Sequence, residues 1–280
     1  MCSFKLRLLF ITLFSANLWL STFTYAEEKV YIVGVVPQFE ARKLTAIWIP
    51  ILEQLTVVTS LKFKLEGAPN INEFEKKFMA GAYDFVYMNP YHFVLGNQLQ
   101  GYIPLVKDGS KKLHGVLVVQ KDSPIQNVAQ LNGAKIAFPS PNALGASLQM
   151  RQELHDIFNI QTTPVYVNTH GSVYLNVLLG DTQAGGGVGK TLKKQKAEYQ
   201  QALRVIHTTS PVSSHPIAAH PRVPNADIKK VTAALLNMGT TAATSALLQG
   251  IPIQQISIAT FADYEPLKNM NLERFYIQPK

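Results

Sequence analysis

An α/β architecture in two lobes, each a mostly parallel sheet flanked by helices, is expected for this 280-residue chain. Two observations carry that expectation. Apolar runs rich in β-branched residues alternate with stretches of helical periodicity, which is how sheets covered by helices are built. The chain also exceeds the usual size of one domain, so it is read as two cores. With 47% hydrophobic and 16% charged residues, disordered and fibrous classes are excluded.

The elements follow in order. Val30 to Val36 reads as a buried parallel strand. Ala41 to Val57 places Leu44, Ile47, Trp48, Ile51, Leu52 and Leu55 on one helical face, with Pro50 expected to kink or split it. Leu61 to Leu65 is a second strand, Asn72 to Met79 a short amphipathic helix, and Asp84 to Met88 a third strand. Strands are also expected at Val116–Val119, Lys135–Phe138, Val165–Val167 and Arg204–Ile206, and helices near Ala143–Phe158, Val173–Leu179 and Thr191–Gln201. From Ala226 the chain reads as mostly helical, with a break at Gly250-Ile251-Pro252. Two segments are candidate crossings between lobes: Asp108 to Lys112, and the proline-rich Thr208 to Pro224. The resulting division is 27–112 with 208–280 for the first lobe and 113–207 for the second.

Residues 1–26 read as a signal peptide. Lys5 and Arg7 form a basic start, Leu8 to Leu20 is apolar, and Thr24-Tyr25-Ala26 offers small residues for cleavage after Ala26. That apolar run is shorter than a membrane span needs. Cys2 is the only cysteine, so a disulfide scaffold, a thiolate metal site and a cysteine nucleophile are excluded from the exported chain. The formal net charge of +8 and pI of about 9.4 suit an anionic partner. The basic residues are dispersed, and Lys193, Lys194 and Lys196 read as a solvated helix face rather than a nucleic-acid patch.

Three polar turns follow predicted strands: Asn89-Pro90-Tyr91-His92, Ser140-Pro141-Asn142 and Asn168-Thr169-His170-Gly171-Ser172. Parallel strands aim their carboxyl ends, and the helix starts behind them, at one cleft where anions bind. Ser140 and Asn142 are good helix caps. His170 either donates to an anion or caps and packs. The string Ala184 to Thr191 loosely fits a phosphate-binding loop, but no apolar strand ending in an acid follows to hold magnesium. Lys190 is therefore not expected to bind nucleotide in that manner, though it can contact a small anion. The seven histidines form no metalloprotease motif. His207, His215 and His220 have no carboxylate at ligand spacing, and no metal or cofactor is expected. No catalytic residue is assigned. An exported enzyme with His170 as acid or base is the alternative of a different class, and no second catalytic group stands at a supporting spacing.

These residues together resemble the periplasmic phosphate/phosphite/phosphonate-binding proteins of ABC transporters. The resemblance runs through Trp48–Leu52, Gly81–Tyr87, Val119–Ile125, Pro139–Asn142, Val167–His170, Arg204–Ile206, Ser210-Pro211 and His215-Pro216. It implies the two-lobe periplasmic binding protein fold, joined by two crossing hinge strands and closing over a small anionic ligand. It also implies a periplasmic, monomeric protein that binds no nucleic acid and delivers its ligand to a membrane permease or, alternatively, to a sensor receptor. The polar turns and the resemblance together give the expected ligand-facing set as Tyr87, Asn89, Tyr91, Ser140, Asn142, His170, Ser172, Lys190 and His215. Where the family has a hydroxyl-rich run, this chain has Ala143-Leu144-Gly145. Family tyrosines fall on Ile71 and Met88, and two family acids fall on Lys190 and His215. A ligand ammonium beside Lys190 would cost roughly 4 kcal/mol at 4 Å in an effective dielectric of 20. The resemblance therefore favours an anion without an amino group, with some apolar bulk, in a pocket more positive and less hydrophilic than the family's.

Overall fold

The computed structural model describes residues 29–251 and 253–280. The signal peptide, its cleavage after Ala26 and Pro252 of the expected break lie outside the described residues.

The first lobe begins with β1 (Val30–Val35), α1 (Ala41–Thr59), β2 (Lys62–Glu66), α2 (Ile71–Met79), β3 (Phe85–Tyr87), α3 (Pro90–Gln100) and β4 (Ile103–Asp108). The chain then crosses into the second lobe. There it forms β5 (Gly115–Gln120), β6 (Lys135–Phe138), a π-helical turn (Leu144–Leu148) running into α4 (Gln149–Asp156), and β7 (Thr163–Tyr166). Then come α5 (His170–Leu179), β8 (Ala184–Val188), α6 (Gly189–Lys193), α7 (Ala197–Ala202) and β9 (Leu203–Thr208). It returns to the first lobe with β10 (Ile217–Ala219), α8 (Asn225–Met238), α9 (Ala242–Gly250) and β11 (Ile256–Ile258), and ends in short 3₁₀ turns.

Each lobe has its own sheet. The first has the order β11-β4-β10-β3-β1-β2, the second β7-β6-β8-β5-β9. The consecutive strand–helix units pair in parallel: β1 with β2 and β3, β6 with β7 and β8. Antiparallel pairs arise at the strands that flank the crossings. β10, which returns the chain, lies between β3 and β4; β5, which receives it, lies between β8 and β9. Each sheet is thus mixed, with most of its strands pointing one way.

The two crossings run side by side. Leu113 and Val212 exchange both backbone hydrogen bonds at 2.9 Å. Gly115 N–H donates to Thr209 Oγ1 at 2.7 Å. The second lobe packs apolar side chains on both faces of its sheet: Leu117 and Val119 meet Ile136, Phe138, Met150 and Leu154, while Val116 and Val118 meet Val173, Tyr174 and Val177. This is the period-two alternation of a buried strand.

Four features differ from the sequence reading. Pro50 sits inside one 19-residue helix, α1, and does not split it. Strands β4, β10 and β11 appear where no strand was expected. The expected helix near Thr191–Gln201 is two short ones, α6 and α7. The glycine string is a strand rather than a loop or a tight crossing: Ala184 to Val188 forms β8 at the centre of its sheet. A Cβ at Gly186 would lie 2.1 Å from the Ala146 carbonyl oxygen, and one at Gly187 would lie 2.2 Å from the Tyr174 hydroxyl. Those glycines let the π-helical turn and α5 approach the sheet from opposite sides, so close packing explains them without a phosphate.

Candidate functional site

The three polar turns meet between the lobes. Asn89 caps α3, accepting from His92 N–H at 2.8 Å, with Pro90 in the first helical turn. On the second lobe Thr169, not His170, caps α5, accepting from Ser172 N–H at 3.1 Å. Asn168 takes a left-handed conformation there, with φ of 68°. His170 is the first residue of α5 and points into a small recess.

The helix after β6 starts differently from what its sequence suggested. Neither Ser140 nor Asn142 caps it; the preceding residue, Ala143, has no side-chain cap. Ser147 and Leu148 both donate to the Ala143 carbonyl, at 2.8 and 3.1 Å. Among the described residues the N–H groups of Leu144, Gly145 and Ala146 have no backbone acceptor outside the turn, as expected of the first N–H groups of a helix. This turn rests on the first crossing: a Cβ at Gly115 would lie 1.8 Å from the Gly145 carbonyl oxygen. Only a glycine lets the two backbones approach that closely.

Asn142 works as a latch. It is buried, and its Nδ2 donates to Glu75 Oε2 of α2 at 3.0 Å and to the Ile277 carbonyl at 2.6 Å. Its Oδ1 accepts from Ile277 N–H at 3.0 Å, and its own carbonyl accepts from Asn89 Nδ2 at 3.2 Å. Glu75, itself buried, also accepts from the Tyr276 hydroxyl at 3.1 Å, and His92 Nε2 stands 3.0 Å from its Oε1. A second-lobe turn is thereby fastened to a helix and to the C-terminal segment of the first. Arg151 adds to the fastening, donating to the Phe275 carbonyl at 2.7 Å. Leu144 and Ala143 are buried in the same apolar cluster as the first-lobe core, so the cleft is packed shut along this side.

What remains between the lobes is two recesses that share Gln38, Leu113, Val188 and His215. The inner one, about 30 Å³, is bounded by Asn89, the Ala143–Ala146 backbone, Asn168, His170 and His215. Water-sized groups fit such a space. Its polar groups are neutral. Burial pushes His170 down to about 4, and burial, with repulsion from His92 and His170, pushes His215 down to about 3. Both rings are therefore uncharged at neutral pH. His170 Nδ1 has no hydrogen-bond partner among the described residues, whereas His215 Nε2 pairs with Gln38 Nε2 at 2.8 Å. Of the two residues that stand where the resemblance has acids, His215 adds no positive charge: its ring stacks on Tyr87 with centroids 5.3 Å apart, away from the water that would stabilise a cation.

The outer recess, about 420 Å³, is lined by Phe39, Asp108, His114 and five lysines, Lys111, Lys112, Lys190, Lys193 and Lys194.

Of the residues singled out from sequence, Asn89, His170 and His215 line the inner recess, and Lys190 and His215 the outer one. Tyr87 is buried behind His215 between that ring and Trp48. Tyr91 is buried edge-on against Tyr276. Asn142 is spent on the latch. Ser172 hydrogen-bonds to the Thr169 cap. Ser140 lines neither recess. Sequence reasoning missed Gln38, Glu75, Lys111 and Lys112. Gln38 follows a β1 strand that was recognised, so its place at a strand's carboxyl end was the available signal. Among the described residues no group of three or more His, Cys, Asp or Glu side chains could hold a metal ion.

A family model described as "ABC transporter, phosphonate, periplasmic substrate-binding protein" matches residues 33–264. No curated protein matches the sequence. Among solved structures, a binding-protein component of an ABC phosphonate transporter from Pseudomonas aeruginosa is similar at TM-score 0.79 and 14% identity, covering 89% of this chain and 88% of that one. A Prochlorococcus marinus protein solved in complex with methylphosphonate is similar at TM-score 0.79 and 16% identity, covering 89% of this chain and all of that one (100%). A Xanthomonas citri protein solved bound to ATP is similar at TM-score 0.73 and 16% identity, over 88% of this chain and 98% of that one. At these identities the likenesses establish the fold.

Proposed function

Because the chain belongs to the family of periplasmic substrate-binding proteins of phosphonate ABC transporters, we propose that it captures a phosphonate-, phosphite- or phosphate-like oxyanion at the helix start formed by Leu144, Gly145 and Ala146. The observation that carries this reading is one recess between the lobes lined by the helix start at Leu144, Gly145 and Ala146, by the unpartnered His170 ring and by the Gln38–His215 pair. Backbone donors at a helix start bind oxyanions without side-chain hydroxyls. That is how Ala143-Leu144-Gly145 can replace a hydroxyl-rich run. The head group enters when the Asn142 latch opens, and the latch re-forms over it.

Several finer points belong to the same reading. The lobes divide as 27–112 with 208–280, and 113–207. The chain is exported with cleavage after Ala26, so N-terminal sequencing of the exported protein should begin at Glu27; an intact Met1 would refute this. It acts as a monomer without catalysis, binds no nucleic acid, and presents its closed form to a permease.

The test is calorimetry of the chain from Glu27 onward against methylphosphonate, phosphite and phosphate. Saturable one-to-one binding of at least one is expected. At 100 times its Kd that ligand should add about 2.7 kcal/mol of stability. Failure of all three to bind would overturn the reading.

A further inference from the structure

The outer recess holds five ammonium groups that the inner site does not use. None of Lys111, Lys112, Lys190, Lys193 or Lys194 forms an ion pair with a described residue. The single carboxylate facing them, Asp108, is already committed. It accepts from Ser110 N–H and hydroxyl at 2.9 and 2.7 Å and from the Gln254 and Gln255 N–H groups at 3.2 and 3.3 Å. The lysines come from both sides of the cleft: Lys111 and Lys112 stand on the first crossing, the others on α6 and its end. Phe39, at the first-lobe rim, has Lys43 Nζ 4.3 Å and Lys194 Nζ 5.1 Å from its ring centroid. Such crowding of like charge is unfavourable by itself. Burial, with repulsion from Lys194 and Lys111, holds Lys190 below the usual lysine range despite Asp108.

The recess is too large for a single oxyanion head group and adjoins the inner one, with which it shares Gln38, Leu113, Val188 and His215. We infer that the ligand is an oxyanion carrying further negative charge, of the di- or polyphosphate class, with its terminal group in the inner recess and the rest against the lysines. This rests on the reading that the inner recess is an oxyanion site. It is not phosphate-loop chemistry, since the glycines lie inside β8. The lysines act as point charges on phosphate oxygens. A bound polyanion also offsets the repulsion between the crossing lysines and those of α6.

The test compares methylphosphonate, orthophosphate and tripolyphosphate by calorimetry, with chelator present, for the wild-type chain and for Lys111→Ala/Lys194→Ala. Tripolyphosphate should bind at least tenfold more tightly than either single-head anion, with affinity that falls as salt rises. The double variant should lose that advantage, about tenfold or more, and keep its methylphosphonate affinity. If the single-head anions bind as tightly as tripolyphosphate, or the variant leaves tripolyphosphate binding unchanged, the polyanion proposal falls and the oxyanion reading stands. If no oxyanion binds, both fall together.

Discussion

The two recesses that meet at His215 recognise charge by opposite means. The inner one is small and lined by uncharged groups: the Leu144–Ala146 backbone, three side-chain amides and two neutral imidazoles. The outer one is larger and lined by five ammonium groups without carboxylate partners among the described residues. A buried site selects by geometry, because each misplaced or missing partner leaves a desolvated polar atom unpaired. An open lysine-rich site selects by net charge, weakly per contact and with strong dependence on salt. The comparison also separates two effects that sequence treats alike. His215 and Lys190 both stand where acids were expected, yet only Lys190 adds positive charge at neutral pH.

The sharpest way to break the inner recess is at its backbone contact. In Gly115→Val the new Cβ collides with the Gly145 carbonyl oxygen, so the helix start cannot rest on the crossing. A loss of at least about 3 kcal/mol in urea unfolding is expected. Wild-type stability in this variant would show that the approach is not tight.

Acid should act next most strongly, chiefly through the two inner-recess histidines. His170 and His215 have folded pKa values of about 4 and about 3, against 6.5 unperturbed. The unfolded chain therefore binds more protons than the folded one between these values and 6.5. Stability is fully present above pH 6.5 and falls as pH drops toward 4, by up to about 1.4 kcal/mol per pH unit for each ring. At pH 5 this amounts to roughly 2 kcal/mol per histidine. Urea midpoints at pH 7.5 and pH 5 should therefore converge in His170→Gln/His215→Gln; an equal pH loss in that variant would mean the rings already titrate freely.

A smaller effect is expected from His170→Ala on oxyanion affinity. The neutral ring donates an ordinary hydrogen bond, worth about 0.5–1.5 kcal/mol, or roughly two- to tenfold in Kd. A hundredfold loss by calorimetry would show that the ring is charged when ligand is bound.

The smallest effect belongs to the outer recess. Burial, with repulsion from Lys43, holds Lys194 below the usual lysine range. Lys194→Gln should raise unfolding stability slightly at low salt, by less than about 1 kcal/mol, and the gain should fade at high salt. A destabilised variant would show that the lysine is favourably paired.

The legibility of this fold in its sequence followed local chemistry. Lys135–Phe138 was readable because its four residues match a buried strand and are bounded by turn residues. Helix α5 was readable from its apolar periodicity near Val173–Leu179. Strand β8 was not, because glycines carry no strand preference. Their necessity lies in Phe138, Ala146 and Tyr174, which approach only in the folded chain. The Asn142 latch was hidden in the same way. A cap-type residue before a helix reads as a cap, and nothing local shows that Glu75 and Ile277 claim its side chain instead. The three turns could be named from sequence as cleft-facing, but the lysine recess could not, since Lys111 and Lys190 are far apart in the chain and brought together by the crossing.

The most direct test of the inner recess as the head-group site is a crystal structure of the chain from Glu27 onward with methylphosphonate. The expected result places the phosphonate oxygens within hydrogen-bond distance of the Leu144, Gly145 and Ala146 N–H groups and of His170, with Asn142 latched to Glu75. A phosphonate bound elsewhere, with those N–H groups turned to solvent, would contradict it.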